Sequence, residues 1–151
     1  MKPLTFADIQ IGLPPRWKNE TNIALSGPVE DDFAPSIAIT RDVFEEEISL
    51  DDFFPFAGEQ LKAGLGEQGY RLLTEVRTVI ADMPAGQRIY QFELDEAQTL
   101  IQQMQISFVR GREAVTVTCT NLAKNFTDTL PAFQQMLESF RWPAPDSKQH
   151  A

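Results

Sequence analysis

The chain of 151 residues holds a single cysteine, Cys119, and a single histidine, His150. A lone thiol closes no internal disulfide, so the fold rests on its apolar core, and the usage suits a reducing compartment. A lone histidine in a segment expected to fray supplies neither a metal-binding pair nor a Cys/His or Ser/His dyad, whose members must meet within about 3 Å. Cys119 stands in "VTVTCTN" in line with Val115 and Val117 and reads as a small core residue. Basic charge is scarce as well. Thirteen Lys and Arg against 22 Asp and Glu leave a net charge of −9, the wrong sign for a phosphate backbone or an anionic membrane as main partner. No window approaches the ~20 apolar residues that span a bilayer. Asp8 interrupts "MKPLTFADIQIGLPPRW" before the apolar run that a secretory signal requires. The expectation is a cytoplasmic protein that is not an enzyme, with no catalytic, cofactor-binding or metal-binding residues. The sequons Asn19-Glu20-Thr21 and Asn125-Phe126-Thr127 are then chance matches. "GLGEQG", residues 64–69, has the lettering of a dinucleotide loop, but it follows a helix and precedes a strand, the reverse of the order that loop needs. It reads as a helix C-cap and turn.

What the chain does contain fits one globular domain, placed at residues 1–142 with 143–151 as a flexible tail. Its 42% hydrophobic and 23% charged content is ordinary, and a chain of this size buries roughly 68 to 70% of its unfolded surface. Acidic charge is concentrated between positions 30 and 52, where nine carboxylates face one arginine, Arg41. Such a run is either a solvated loop region that keeps the protein soluble or an acidic rim that attracts a basic segment of a partner.

Side-chain periodicity predicts strands over 6–11, 22–26, 36–41, 70–80, 88–94, 100–109 and 114–120. The last four, linked by "DMPAGQ", Asp95-Glu96 and "RGRE", read as an antiparallel meander. A helix begins near 49–52 and runs to Leu65. With Asp52 as N-cap, Pro55 falls where its missing N–H breaks no intrahelical bond. Phe53, Ala57, Leu61 and Leu65 then form a stripe toward the core, with Gln60 off it beside Phe56. A second helix over 128–140 carries Leu130, Phe133, Leu137 and Phe140 at helical spacing. Grouped rather than alternating, these elements predict an α+β fold: one antiparallel sheet of about six to seven strands with two main helices packed on it.

The strand "LIQQMQISFV" poses a question of function. Leu100, Gln102, Met104, Ile106 and Phe108 share one face, which reads as core, whereas Ile101, Gln103, Gln105, Ser107 and Val109 share the other. A face toward water collects Lys and Glu; this one collects neutral amides and a hydroxyl. The next strand continues the character with Ala114, Thr116, Thr118 and Thr120, and the preceding one is expected to add Gln87, Ile89 and Gln91. Two readings follow. Either the chain's own helix or loop covers this face, or the face is a groove for another polypeptide, whose stray polar groups the amides satisfy.

The order "LPPRW", "PSIAITRD", a helix with "EQL", "MQISFV" to "VTVTCTN", and "LESFRW" resembles the DcrB-like domain family, whose fold is PsbP-like, over roughly residues 4 to 142. Within it the chain is most similar to the EagR-type chaperones of type VI secretion effectors. The resemblance implies a cytoplasmic homodimer that grips the hydrophobic N-terminal helices of a secreted effector and shields them until the effector is loaded on the VgrG spike. It implies partner-binding roles for Ile23, Leu25, Ile37, Ile39, Gln60 and Gln105. The family's Arg-Gln pair reads Met104-Gln105 here, and the second strand is one residue short, which leaves Asn22 and Ala24 as the other register. The alternative is a DcrB/PsbP-like domain acting as an assembly factor or small-ligand-binding protein outside secretion.

Overall fold

The computed structural model describes residues 2–6, 9–16, 22–94 and 99–143. Most of the expected tail, with His150, and the sequon at 19–21 lie outside the described residues. The chain runs β1 (Lys2–Phe6), β2 (Ile9–Leu13), β3 (Ile23–Ser26), β4 (Ser36–Val43), α1 (Leu50–Leu65), β5 (Arg71–Ile80), β6 (Met83–Glu93), β7 (Leu100–Arg110), β8 (Glu113–Leu122) and α2 (Ala123–Glu138). Six strands form one antiparallel sheet in the order β3-β4-β8-β7-β6-β5, and β1 pairs with β2 as a separate hairpin. The expected α+β architecture, a sheet with two packed helices, is the one observed.

Alternation on β7 and β8 places the helices. Met104, Ile106 and Phe108, with Val115, Val117 and Cys119, are buried against Phe126, Phe133 and Leu137 of α2. The opposite face carries Ile101, Gln103, Gln105 and Ser107 and receives α1, which packs on β6 and β7. The sheet therefore lies between two helices, one on each side. Phe53, Phe54 and Ala57 are the buried residues of α1. Leu61 and Leu65 continue its stripe onto Tyr90, Phe92, Ile101 and Leu122. Cys119 is fully buried in the α2-side core, as its alignment with Val115 and Val117 implies. Among the described residues no helix is long and apolar enough to cross a membrane.

Several boundaries differ from the periodicity reading, each for a physical reason. The strand expected over 6–11 is the tip of the β1–β2 hairpin, with Phe6 opposite Ile9 and residues 7 and 8 outside the described set. Ser49, not Asp52, caps α1: its Oγ accepts from the Asp52 amide at 3.1 Å. Pro55 then lies in the second turn and leaves the Asp51 carbonyl without its helical donor. The turn expected at "DMPAGQ" is a two-residue turn at Ala81 and Asp82, both at positive φ (50° and 65°), the backbone sense that matches strand twist. Residues 83–87 are already strand. α2 starts at Ala123 rather than Asp128, because its polar first turns have tertiary partners. Asn121 Nδ2 donates to Thr129 Oγ1 at 2.6 Å, and Asn125 Nδ2 donates to Asp31 at 3.0 Å.

Gly86 on β6 faces α1, and a Cβ there would overlap the Phe54 ring. Gly86→Ala should therefore cost about 1 to 3 kcal/mol from overpacking, read as a lower urea midpoint; an unchanged midpoint would mean that Phe54 moves freely. Burial also pushes the Cys119 thiol up to about 12. At mildly alkaline pH the native protein should resist alkylation by iodoacetamide, and unfolding in urea should expose the thiol to rapid reaction.

Candidate helix-binding cleft

α1 leaves part of its side of the sheet bare. It packs on β6 and β7 and meets β8 at the two ends of that strand, Ala114 with Phe53 and Ala57 and Leu122 with Leu61 and Leu65, so the strip formed by β4 and the middle of β8 is only partly covered on that face. Pairing of Ala38 with Thr118 and of Thr40 with Thr116 makes that strip one of small and hydroxyl-bearing side chains. Where α1 meets it, a cleft of about 270 Å3 opens, floored by Thr40, Gln105, Thr116 and Thr118 with Asp42 at its edge. Its helix wall is Phe53, Phe56, Ala57, Gln60 and Leu61. Phe56 is half exposed although it is aromatic. Asp42 is the one formal charge on this lining.

Beside the cleft lies a charge that the sequence reading did not anticipate. Arg88 on β6 is 1% exposed. Its Nε donates to Glu75 Oε2 at 2.9 Å, its Nη2 to the Phe54 carbonyl at 2.8 Å and its Nη1 to Gln105 Oε1 at 3.4 Å. The guanidinium also stacks 4.1 Å from the centre of the Phe54 ring. A buried guanidinium is tolerated only when its donors are taken up in this way. Gly58 makes room for it, since a Cβ there would sit 2.7 Å from Nη2.

One register step along, Tyr90 Oη donates to Gln103 Oε1 at 2.5 Å and Gln103 Nε2 donates to Thr120 Oγ1 at 3.0 Å. Burial raises the Tyr90 hydroxyl well above its ordinary pKa, so it remains a neutral donor.

The residues expected to bind a partner separate into two groups. Gln60 and Gln105 line the same cleft. Ile37 and Ile39 pair with Cys119 and Val117 and so lie on the α2 side, Ile37 in the core and Ile39 packed against it. Ile23 and Leu25 are opposite Ile39 and Ile37 and follow them to that side, exposed on the edge strand β3. In the other register, Ala24 is the residue opposite Ala38 on the cleft's face. The six side chains therefore do not share one face of the sheet. Gln87, Ile89 and Gln91 also lie on the α2 side, opposite Ile106, Met104 and Gln102. The partners of the amide face in β6 are Gly86, Arg88, Tyr90 and Phe92. The signal for that facing was the Tyr90/Phe92 alternation, a core pattern with Arg88 in phase with it.

The amide face is thus both covered and open: Gln105 and Thr116 are just buried, while Gln103 and Thr118 are half-buried beside the cleft. A sequence profile of the DcrB family matches residues 9–139. The chain belongs to the DcrB family. No curated protein matches it by sequence. This DcrB-family fold is similar to PA94 of Pseudomonas aeruginosa, described as a protein of unknown function and putative regulator, at a TM-score of 0.78 and 17% identity, covering 95% of this chain and 97% of that one. It is similar to LpqN of Mycobacterium tuberculosis, described as involved in cell envelope biogenesis, at 0.56 and 12% identity over 83% and 85% of the two chains. It is also similar to cyanobacterial PsbP from Synechocystis at 0.51 and 10% identity over 82% and 81%. These likenesses establish a PsbP-like fold for the DcrB-family chain.

Removing Arg88 strands its partners under α1, whereas Glu75 reaches solvent. Arg88→Met should lower unfolding free energy by about 1 to 3 kcal/mol for each of the two buried acceptors it leaves without a donor, the Phe54 carbonyl and the Gln105 amide, and Glu75→Gln, which keeps an acceptor oxygen at an exposed position, by under about 1 kcal/mol, both measured by urea titration. Equal costs would show that the ion pair, and not the clamp on Phe54 and Gln105, carries the effect.

Proposed function

We propose that this DcrB-family chain is a chaperone that holds an apolar helix of a secreted effector in the cleft between α1 and the β4–β8 strip. The observation that carries the reading is the meeting of Gln60, Gln105, Thr116 and Thr118 with the half-exposed Phe56 around one cleft with a nearly charge-free lining. A drug-sized ligand needs a pocket of about 300 to 1,000 Å3 that encloses it. A cleft of about 270 Å3 that opens toward β4 suits the side chains of a docked helix better. Formal charges on such a floor would be penalised, because an apolar partner cannot repay their desolvation. Amides and hydroxyls are wetted when the cleft is empty and still bond to a helix that brings polar groups.

Burying about 600 Å2 of apolar helix is worth at most about 15 kcal/mol, less several for association and ordering, which is ample to keep a membrane-spanning segment from aggregating. In this reading the client is the hydrophobic N-terminal region of a type VI secretion effector, held in the cytoplasm by a homodimer of this chain until the effector is loaded on VgrG. The support for that setting is the resemblance to EagR-type chaperones. Asp42, at the cleft's edge, favours a client whose apolar helix is flanked by basic residues.

The test is co-expression with the apolar N-terminal region of a candidate effector. The pair should purify together, and Thr118→Arg or Gln60→Arg should cut recovery at least about tenfold while thermal melting stays cooperative. Leu25→Asp, on the other side of the sheet, should leave recovery unchanged. Loss with Leu25→Asp alone would move the client to the β3 edge. Failure of every effector segment to co-purify would favour the assembly-factor or small-ligand alternative.

A further inference from the structure

We propose that Arg88 fixes the side-chain amide of Gln105 as a hydrogen-bond donor into the cleft, so that the site selects an apolar helix carrying an acceptor oxygen at that level. The inference rests on the reading of the cleft as a helix-docking site and names the chemistry that site asks for. A guanidinium has donors only, so the amide must turn its Oε1 toward Arg88 Nη1, 3.4 Å away. That assigns Nε2 to the remaining direction, and Gln105 lines the cleft. Gln103 provides the contrast on the same strand and face. Its oxygen accepts from Tyr90 and its nitrogen donates across the ladder to Thr120, so both ends of that amide are spent. Gln105 stands opposite Thr118 as Gln103 stands opposite Thr120, yet Gln105 Nε2 donates to no acceptor among the described residues. With only 9% of the residue exposed, a helix laid over the cleft would take away what water the donor has. An apolar surface leaves that donor unsatisfied. An ether, hydroxyl or amide oxygen, or a main-chain carbonyl bared by a small residue, satisfies it.

Arg88 acts here as a positioning residue: it need not touch the client, but it decides which end of the Gln105 amide the client meets. Without it the amide is free to rotate and to present either a donor or an acceptor, and discrimination between the two client types is lost.

The probes are lysine-flanked Leu/Ala helical peptides in which O-methylserine or its isostere norvaline occupies each of four successive central positions. The two side chains differ in one acceptor oxygen and in no donor. In titration against the whole protein, the O-methylserine peptide should bind about tenfold tighter than its norvaline counterpart at one position of the turn. Gln105→Met should abolish that ratio. Arg88→Lys, which keeps a charge but cannot hold the Phe54 carbonyl and Gln105 together, should narrow it toward one, an outcome that a merely structural role would not produce. Tight binding of both peptides with equal affinity at every position would overturn the donor assignment and leave the docking cleft standing. Binding of neither peptide would overturn the cleft reading and this inference with it.

Discussion

The seat of α1 on the sheet is set by two large side chains that each lodge on a glycine of the other element. Phe54 of α1 fills the space over Gly86 of β6, and Arg88 of β6 fills the space beside Gly58 of α1. The two also bind each other, through the Phe54 carbonyl and ring on the guanidinium. Sliding or turning the helix by one residue would bring a side chain onto each glycine position and leave a buried charge with its partners displaced. Either cost is of order several kcal/mol, comparable with the whole stability of a domain. The helix therefore has one place to sit, over β6 and β7 and the ends of β8, and the thin cover over β4 and the middle of β8 on that face is the consequence. The cleft is what the lock leaves over.

The two helices compose the rest of the surface by covering different strands on opposite faces. On the α2 side the covered zone reaches Ile37 and Cys119, and a second bare zone falls on β5, where Val76 is exposed. The acidic loop after β3 is tied to the start of α2 by Asn125 and by Lys124, 3.4 Å from Asp31. Both partners hold that carboxyl below its ordinary pKa. From this loop Phe33 reaches the cluster of Tyr90, Leu61 and Leu65, so part of the acidic run anchors a core residue beyond the end of the cleft. Glu45, Glu46 and Glu47 of the same run are solvent-exposed before α1. Both uses of a charge run, structural and solvating, occur within one segment.

Much of this was legible in the residues. The four-strand meander, the Phe53/Ala57/Leu61/Leu65 stripe, Cys119 as core and Gln60 off the stripe beside Phe56 all follow from periods of two and 3.6. The losses have a common source, which is that local signals were read where tertiary partners decide. Pro84 and Gly86 look like turn formers, but Gly86 is small because Phe54 needs its space, and the real turn uses Ala81 and Asp82 at positive φ. Asn125 looks like a helix breaker until Asp31 takes its amide. Arg88 looks like a strand terminus, although it is in phase with Tyr90 and Phe92. That phase error also transferred Gln87, Ile89 and Gln91 to the wrong face. The facing of Ile37 and Ile39 depends on their pairing with Val117 and Cys119, a contact across roughly half the chain that no short motif encodes.

The neutral floor of the cleft is the least costly surface for reversible contact with something apolar. Threonine is β-branched and fits a pleated strand, and its hydroxyl is wetted when the site is empty. Covering it forfeits far less than covering a carboxylate or an ammonium. An all-aliphatic floor would bind more tightly but would be an exposed apolar patch at the open margin of a sheet, the kind of surface that aggregates. Threonines with one glutamine on the floor and a second on the helix wall lie between these limits. On the proposed docking of a helix, most of the attraction would come from Phe56, Leu61 and the apolar faces of the floor, while the amides would decide which helix and in what register. On the chaperone function proposed above, a surface of that kind would hold a client by a modest surplus over the cost of association, and a modest surplus is what would permit release.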